Sequence, residues 1–110
     1  MALALNRFKT YTATLTTGGA TIYTAPTGYT GIILYAHITN YGASPTTVTM
    51  SHVRSSTTTQ IINAASVPAN DAYIPLDGKL VLETSDYVTA TAGTNSVLKI
   101  LVSVLETANA

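Results

Sequence analysis

The sequence contains no cysteine and no tryptophan, and charged residues make up only 9% of its 110 positions. Soluble domains usually carry about 25% charged residues, so charge is scarce in this chain. Without cysteine the chain has neither a disulfide framework nor a thiolate zinc site. Five Lys and Arg balance five Asp and Glu, which gives a net charge of zero. Proteins that neutralise phosphates need a basic surface, and we therefore expect no nucleic-acid partner.

Long hydrophobic runs are also missing. Residues 32–36 form the longest apolar stretch, which is far short of the roughly 20 residues that a membrane-spanning helix needs. Residues 1–5 are too short for the core of a signal peptide, and the basic residues Arg7 and Lys9 follow this segment instead of preceding it. We therefore expect no membrane partner and synthesis in the cytoplasm.

Threonine accounts for 21 residues spread along the chain. Near the start, Tyr11, Ala13 and Leu15 alternate with threonines, and near the end apolar residues occupy every second position from Leu98 to Val104. A period of two is typical of strands with one buried face, and β-branched threonine suits such a pleated surface. These patterns predict β-strands.

Turn residues divide the chain into short segments. Gly18 and Gly19 predict a β-hairpin between the first two strands, and residues 54–59 are predicted to form an exposed loop. Eight or nine short strands at this spacing predict an all-β fold, an antiparallel β-sandwich that is jelly-roll-like. The predicted strands are residues 10–16, 20–25, 30–40, 46–53, 60–65, 73–74, 79–83, 87–92 and 96–106.

The sequence shows no internal repeat and no domain boundary, so residues 10–110 are predicted to form a single β-sandwich domain. Residues 1–9 differ from the rest because apolar and basic side chains follow one another without clean alternation. Two interpretations stay open for this segment. It is either a short first strand of the same sandwich or an arm that reaches a neighbouring subunit.

The two histidines do not suggest a metal site. If the strands on either side of residues 42–45 pair as a hairpin, His37 lies opposite Thr49 and His52 lies opposite Leu34. The two imidazoles would then be about 10 Å apart, too far to share a metal ion. We predict no metal and no cofactor.

The carboxylates and hydroxyls do not suggest catalysis either. Asp71, Asp77 and Asp86 stand at turns or strand starts, where aspartate ordinarily accepts hydrogen bonds from nearby backbone amides. The sequence has no Gly-x-Ser-x-Gly nucleophile motif and no phosphate-binding glycine loop. We therefore expect that the protein is not an enzyme.

The scarcity of charge indicates a protein that works in a permanent assembly, because few like charges keep neighbouring copies apart. A stable, merely threonine-rich monomer is the alternative. Tyrosine is favoured at interfaces, since it combines a large apolar ring with a hydrogen-bonding tip. The predicted assembly interface consists of Leu3, Leu5, Arg7, Phe8, Tyr11, Tyr41 and Tyr73.

Three stretches resemble small all-β virion structural proteins of tailed bacteriophages. Residues 22–33 contain a strand, a Pro-x-Gly turn and an apolar strand in the same order as in those proteins. Residues 77–88 contain a similar Lys-Leu-x-Leu-Glu segment, and residues 102–106 resemble the closing strand. This chain has Ser85-Asp86 where those proteins more often have Gly-Asp. The resemblance transfers no functional site, because those proteins act through surfaces.

The resemblance implies a protein of the virion that is made in the host cytoplasm. We expect a capsid decoration (cement) protein that binds the major capsid protein or other virion proteins and forms a dimer or trimer. The alternative is a receptor- or glycan-binding module of a phage tail or fibre. That module would use the loop at residues 55–59 with Tyr41 or Tyr73.

Overall fold

The computed structural model describes residues 6–109, which form nine β-strands and no helix. The strands are β1 (Asn6–Thr14), β2 (Ala20–Thr24), β3 (Tyr29–Asn40), β4 (Thr46–Arg54), β5 (Thr57–Val67), β6 (Ala72–Tyr73), β7 (Leu80–Leu82), β8 (Tyr87–Ala92) and β9 (Leu98–Ala108).

The strands form two antiparallel sheets. Sheet I has the order β1-β9-β3-β6, with β7 also paired to β3, and sheet II has the order β2-β8-β4-β5. Strand pairs therefore run from the two ends of the chain inwards: β1 with β9, β2 with β8, β3 with β6 and β7, and β4 with β5. This rolled-up ribbon is a jelly roll, and the predicted antiparallel β-sandwich is confirmed.

The core lies between the two sheets and follows from the period-two pattern. In β9 the side chains of Leu98, Ile100, Val102 and Val104 are buried, whereas the residues between them face outwards. Each such side chain contributes about 1.5–3 kcal/mol by leaving water. The opposing sheet contributes Val48, Met50, Val88, Ala90 and Ala92, among others.

The face of β3 that packs in the core changes along the strand. A register shift between Ile33 and Tyr35 places Ile33 in the core together with Ala36 and Ile38. Strict alternation would have put Ile32 on the same side as Ala36 and Ile38. A β-bulge reverses the inward side, because it adds one unpaired residue.

The hairpin predicted at Gly18 and Gly19 is wrong. This turn joins β1 in sheet I to β2 in sheet II, and residues 41–45 likewise cross from β3 to β4. Glycine turn signals mark where a strand ends and permit the positive φ of 79° at Gly19. They do not specify which sheet the next strand joins.

The histidine geometry that a β3–β4 hairpin implied is therefore also wrong. His37 lies opposite Leu101 of β9 in sheet I, and His52 lies opposite Val88 of β8 in sheet II. The two imidazoles belong to different sheets.

The exposed loop predicted at residues 54–59 is wrong too. β4 and β5 are joined by a tight turn in which Ser55 has a positive φ of 54°. The three threonines that follow already belong to β5, which extends from Thr57 to Val67. Consecutive β-branched residues suit an exposed strand as well as a loop, so composition alone misled the prediction.

Candidate functional site

The predicted interface residues do not form one patch. Arg7, Phe8 and Tyr11 lie on β1, while Tyr41 follows β3 and bonds to the backbone near the start of β9. Phe8 is opposite Leu105, so it lies about 26 Å from the Tyr41 end of β9, at the usual rise per residue. Leu3 and Leu5 lie outside the described residues.

These residues also differ in exposure. Phe8 is 75% exposed and Tyr41 is 48% exposed. Tyr11 and Tyr73 pack against the hydrophobic core, and Arg7 forms an ion pair with Glu106. Phe8 and Tyr41 are therefore the members most available to a partner.

The outer face of sheet I carries an apolar row that sequence reasoning missed. Strand register aligns four side chains across four strands: Phe8 opposite Leu105, Leu105 opposite Ile32, and Ile32 opposite Val81. Phe8 and Val81 at its two ends are 75% and 52% exposed. We call Phe8, Leu105, Ile32 and Val81 the apolar row. Its members are far apart in sequence, so only the strand register could reveal it.

The rest of this outer face is weakly polar. It consists of four further rows across β1, β9 and β3, and Lys99 is their one charged side chain. Three lie on one side of the apolar row: Thr10, Ser103 and Tyr35; then Thr12, Leu101 and His37; then Thr14, Lys99 and Thr39. The fourth, Asn6, Thr107 and Thr30, lies on its other side.

The outer face of sheet II is lined by hydroxyls instead. Thr49, Ser51, Thr89 and Thr91 occupy its centre, and Thr21 of β2 continues it to the edge. Its apolar members are Val53 and Tyr87, which lie opposite each other at one end. Threonines therefore line both outer faces, whereas a full apolar row occurs on sheet I.

An open groove of about 860 Å³ lies at the Lys99 end of the outer face of sheet I. The Lys99 ammonium sits 4.9 Å from the centre of the Tyr41 ring. The hydroxyl of Thr39 is 3.2 Å from Nδ1 of His37 and orients the imidazole. This groove combines hydroxyls, two aromatic rings and a cation.

A buried carboxylate joins the two sheets at the opposite end. Glu106 is 1% exposed and accepts hydrogen bonds from the Tyr23 hydroxyl, at 2.6 Å, and from Nε of Arg7. The Arg7 guanidinium also lies 3.9 Å from the centre of the Tyr29 ring. Burial and the hydrogen bond to Glu106 raise the pKa of Tyr23. We call these four residues the Glu106 cluster.

A glycine makes this cluster possible. A Cβ atom on Gly31 would lie 2.6 Å from the Tyr23 hydroxyl oxygen, so Tyr23 reaches Glu106 only across a residue without a side chain. The sequence itself carries a signal for this buried acid. Glu106 continues the alternation of Leu98 to Val104 and is therefore on the inward side, where a carboxylate needs a partner.

A second buried carboxylate lies at the β7–β8 turn. Asp86 is 3% exposed and accepts hydrogen bonds from Nη2 of Arg54, at 2.7 Å, and from the backbone N–H of Glu83, at 3.0 Å. Nε2 of His52 lies 3.2 Å from the same carboxylate. The Arg54 hydrogen bonds are the main cause that lowers the pKa of Asp86 to about 2. Asp86 therefore accepts a backbone hydrogen bond in the turn, as predicted, and also forms an ion pair with Arg54.

The Glu106 cluster and the ion pairs around Asp86 together involve half of the charged residues. Ion pairs involve Arg7, Glu106, Arg54, Asp86 and Glu83. Within residues 6–109, no group of three or more His, Cys, Asp or Glu side chains is placed to hold a metal ion. That same part of the chain has no helix long and apolar enough to cross a membrane.

Comparison with known proteins gives a likeness in fold. No family model and no curated protein matches the chain. The chain is similar to one in the acidic stable capsid structure of Helicobacter pylori bacteriophage KHP30, with a TM-score of 0.55, 13% identity and coverage of 94% of this chain and 88% of that chain. It is also similar to a chain of the disulfide-linked pili of Bacillus endospore appendages, with a TM-score of 0.45, 10% identity and coverage of 100% and 97%. At 13% identity, the likeness to the capsid chain shows a shared all-β fold.

Proposed function

We propose that the protein is a non-enzymatic structural component of a tailed-phage virion, a capsid decoration (cement) protein. It binds the major capsid protein of the assembled shell through surface contacts and self-associates as a dimer or trimer. The observation that carries this proposal is the regular edge strand β1. Within residues 6–109, β1 pairs only with β9, and its other edge is open along all nine residues.

The other edge strands are interrupted or short. β2 has a register shift between Thr21 and Tyr23, and β5 has two shifts and a positive φ at Ala64. β6 and β7 have only two and three residues. Proteins use such bulges and short strands to prevent edge pairing. β1 has uninterrupted register over its whole length, which makes it the best template for strand addition from a partner.

Backbone geometry identifies the residues that would bond to this partner. The N–H of Leu15 donates to the carbonyl of Leu98, in the same register as the β1–β9 pairs. Hydrogen-bonded and non-bonded pairs alternate in an antiparallel ladder. The even-numbered residues Phe8, Thr10, Thr12 and Thr14 therefore turn their backbone groups towards the open edge.

Two further observations support a virion role. The likeness to a capsid-structure chain extends over nearly the whole protein, and half of the few charges are engaged in ion pairs within the chain. The mechanism is mass action: a protein that binds only the assembled shell stabilises it, by about 2.7 kcal/mol per site at a hundredfold excess over Kd.

Capsids that lack the protein provide the test. We expect the purified chain to bind them saturably, at a copy number commensurate with the lattice, and to raise their disruption temperature. Thr12→Pro removes a backbone N–H at the open edge and should weaken binding at least tenfold. Thr12→Val keeps that N–H and a similar volume, so it should bind as the wild type does. Equal binding by both variants would exclude strand addition through β1.

The groove beside Tyr41 favours a second candidate, a glycan-binding module of a tail or fibre. Its hydroxyls, rings and single ammonium suit a carbohydrate that carries a carboxylate. The turn at residues 55–56 lies at the other end of β4, so it cannot share a site with Tyr41. Under this alternative, Tyr41→Ala would abolish binding to acidic polysaccharide, and particles lacking the protein would keep full heat stability.

A further inference from the structure

Lys9 is a cation that faces inwards on the strand with the open edge. It lies opposite Val104, whose side chain is buried in the core, so the Lys9 side chain leaves β1 on the inner side. On that side Arg7, Tyr11 and Ala13 are half-buried, whereas Lys9 is exposed. In the described part of the chain, Lys9 belongs to none of the ion pairs. The inner side of the open edge therefore carries a positive charge that no carboxylate balances.

The ladder geometry brings Lys9 close to any strand that is added at this edge. The even-numbered residues of β1 direct their side chains to the outer face of sheet I and their backbone groups to the open edge. Lys9 lies between two of them, so it would form a non-hydrogen-bonded pair with a residue of an antiparallel strand. Opposite Cα atoms are about 4.5 Å apart in such pairs and about 5.5 Å apart in hydrogen-bonded pairs. The residue opposite Lys9 is thus within reach of the ammonium.

Lys9 restricts which strand can pair with β1. Like charges directly opposite each other destabilise a sheet, and charges that point inwards on an edge strand hinder unspecific pairing. A second β1 is a poor partner, because Asn6–Thr14 contains two basic residues and no acidic one. Full overlap of two antiparallel β1 strands would place the two Lys9 side chains at diagonal positions. A strand with a carboxylate at the opposite position is favoured instead.

Phe8 sets a second requirement, on the outer side. It is the end of the apolar row at the open edge and is 75% exposed. A strand added beside β1 places one residue directly opposite Phe8, and an apolar side chain there would continue the row and bury the ring. In an antiparallel strand the residue opposite Lys9 immediately precedes the residue opposite Phe8.

We infer that the shell strand that pairs with β1 is antiparallel and contains an acidic residue followed at once by an apolar residue. The carboxylate lies opposite Lys9 and the apolar side chain lies opposite Phe8. This inference rests on the proposed function, because it specifies the partner of that same edge. The two contacts also fix the register, since a shift by one residue would move the carboxylate to the outer side, next to Phe8.

Binding of the full-length chain to capsids that lack it tests the charge. Lys9→Glu should weaken binding about tenfold, because it replaces attraction by repulsion in a close pair. Lys79→Glu makes the same change in net charge just before β7, which pairs with β3 away from β1, and should bind as the wild type does. Lys9→Gln removes the charge alone, so it should lose less affinity and should make binding less sensitive to salt. Circular dichroism melting curves verify the fold of each variant.

The apolar contact has its own matched pair of variants. Phe8→Thr should weaken binding, because it removes the ring beside the open edge. Val81→Thr changes the exposed residue at the opposite end of the same row and should leave binding unchanged.

A compensating change in the shell identifies the partner residue. Each exposed Asp or Glu of the major capsid protein that directly precedes an apolar residue is changed to Lys in turn. One of these shell variants should restore binding of Lys9→Glu and weaken binding of the wild type.

Four outcomes would overturn the inference. They are wild-type binding by Lys9→Glu, an equal loss in Lys79→Glu, wild-type binding by Phe8→Thr, and no restoration by any shell variant. The proposed function is decided separately by Thr12→Pro and Thr12→Val. If Thr12→Pro loses binding while Lys9→Glu keeps it, β1 pairs with the shell through a strand of different chemistry.

Discussion

The hydroxyl of Tyr23 in sheet II donates a hydrogen bond to the buried carboxylate of Glu106 in sheet I, at 2.6 Å. A buried polar contact thus connects the two sheets at this end of the core. The same carboxylate accepts a hydrogen bond from Arg7 and so links β1 to β9 through side chains as well as through the ladder. The strand with the open edge is held in place by this cluster.

Tyr23→Phe should destabilise the protein by about 1.5–3 kcal/mol, because it leaves one oxygen of a buried, charged acceptor without its donor. Chemical denaturation in urea measures the change. Tyr41→Phe is the matched control, since the Tyr41 hydroxyl donates to the carbonyl of Ser96 in an exposed position. We expect a loss below about 1 kcal/mol there. Equal losses in the two variants would contradict a special role for Glu106.

Stability should fall in alkali through Tyr23. Its pKa is raised in the folded state, whereas tyrosine in the unfolded chain ionises near pH 10. Above about pH 10 the unfolded state therefore binds fewer protons than the folded state, and the free energy of unfolding decreases as pH rises. Urea denaturation between about pH 9 and pH 11 should show a shallower decrease in Tyr23→Phe than in the wild type. Identical slopes would contradict this assignment.

Stability should fall in acid through Asp86. Its pKa is about 2 in the folded protein, below the ordinary value of 3.8. The stabilisation is therefore complete above about pH 4 and is lost as pH falls towards 2, where the folded state also takes up the proton. Asp86→Asn should remove this part of the acid transition, whereas Asp77→Asn, in a turn, should retain it. A wild-type acid transition in Asp86→Asn would exclude Asp86 as its source.

Arg7→Ala should lower the melting temperature more than Lys9→Ala does. Arg7 bonds to a buried carboxylate, and its removal leaves Glu106 without its cation, whereas Lys9 is a neighbouring basic residue outside the ion pairs. Glu106→Gln combined with Arg7→Ala should recover part of the loss, because the buried charge is then absent. Circular dichroism melting curves measure all three. No recovery in the double variant would contradict an electrostatic origin.

Local patterns predicted the strands well and the sheets poorly. The alternation from Leu98 to Val104 requires only that one face of the strand is buried in the core, and it predicts the buried face of β9 correctly. The pairing of β1 with β9 depends on the path of the whole chain, which no turn residue such as Gly19 encodes. A register shift such as that between Ile33 and Tyr35 adds a local change that strict alternation cannot predict.

The apolar row shows the same limit for the candidate site. Phe8, Ile32, Val81 and Leu105 come from four strands distributed over nearly the whole sequence. Each one alone is an ordinary apolar residue of a strand. The Glu106 cluster is easier to predict than the apolar row. The inward position of Glu106 and the basic residue Arg7 near the start of the chain can both be read from the sequence.

The perpendicular directions of side chains and backbone groups in β1 have a consequence for attachment to a lattice. A dimer whose interface lies away from β1 carries two open β1 edges at a fixed separation. Once one edge is bound, the second meets its site at a high effective concentration, so avidity exceeds the affinity of either edge by about 10²–10⁴. This gain requires pairs of sites at the matching distance, and free shell subunits do not present such pairs. Bivalency would thus let a weak edge contact distinguish an assembled shell from its unassembled parts.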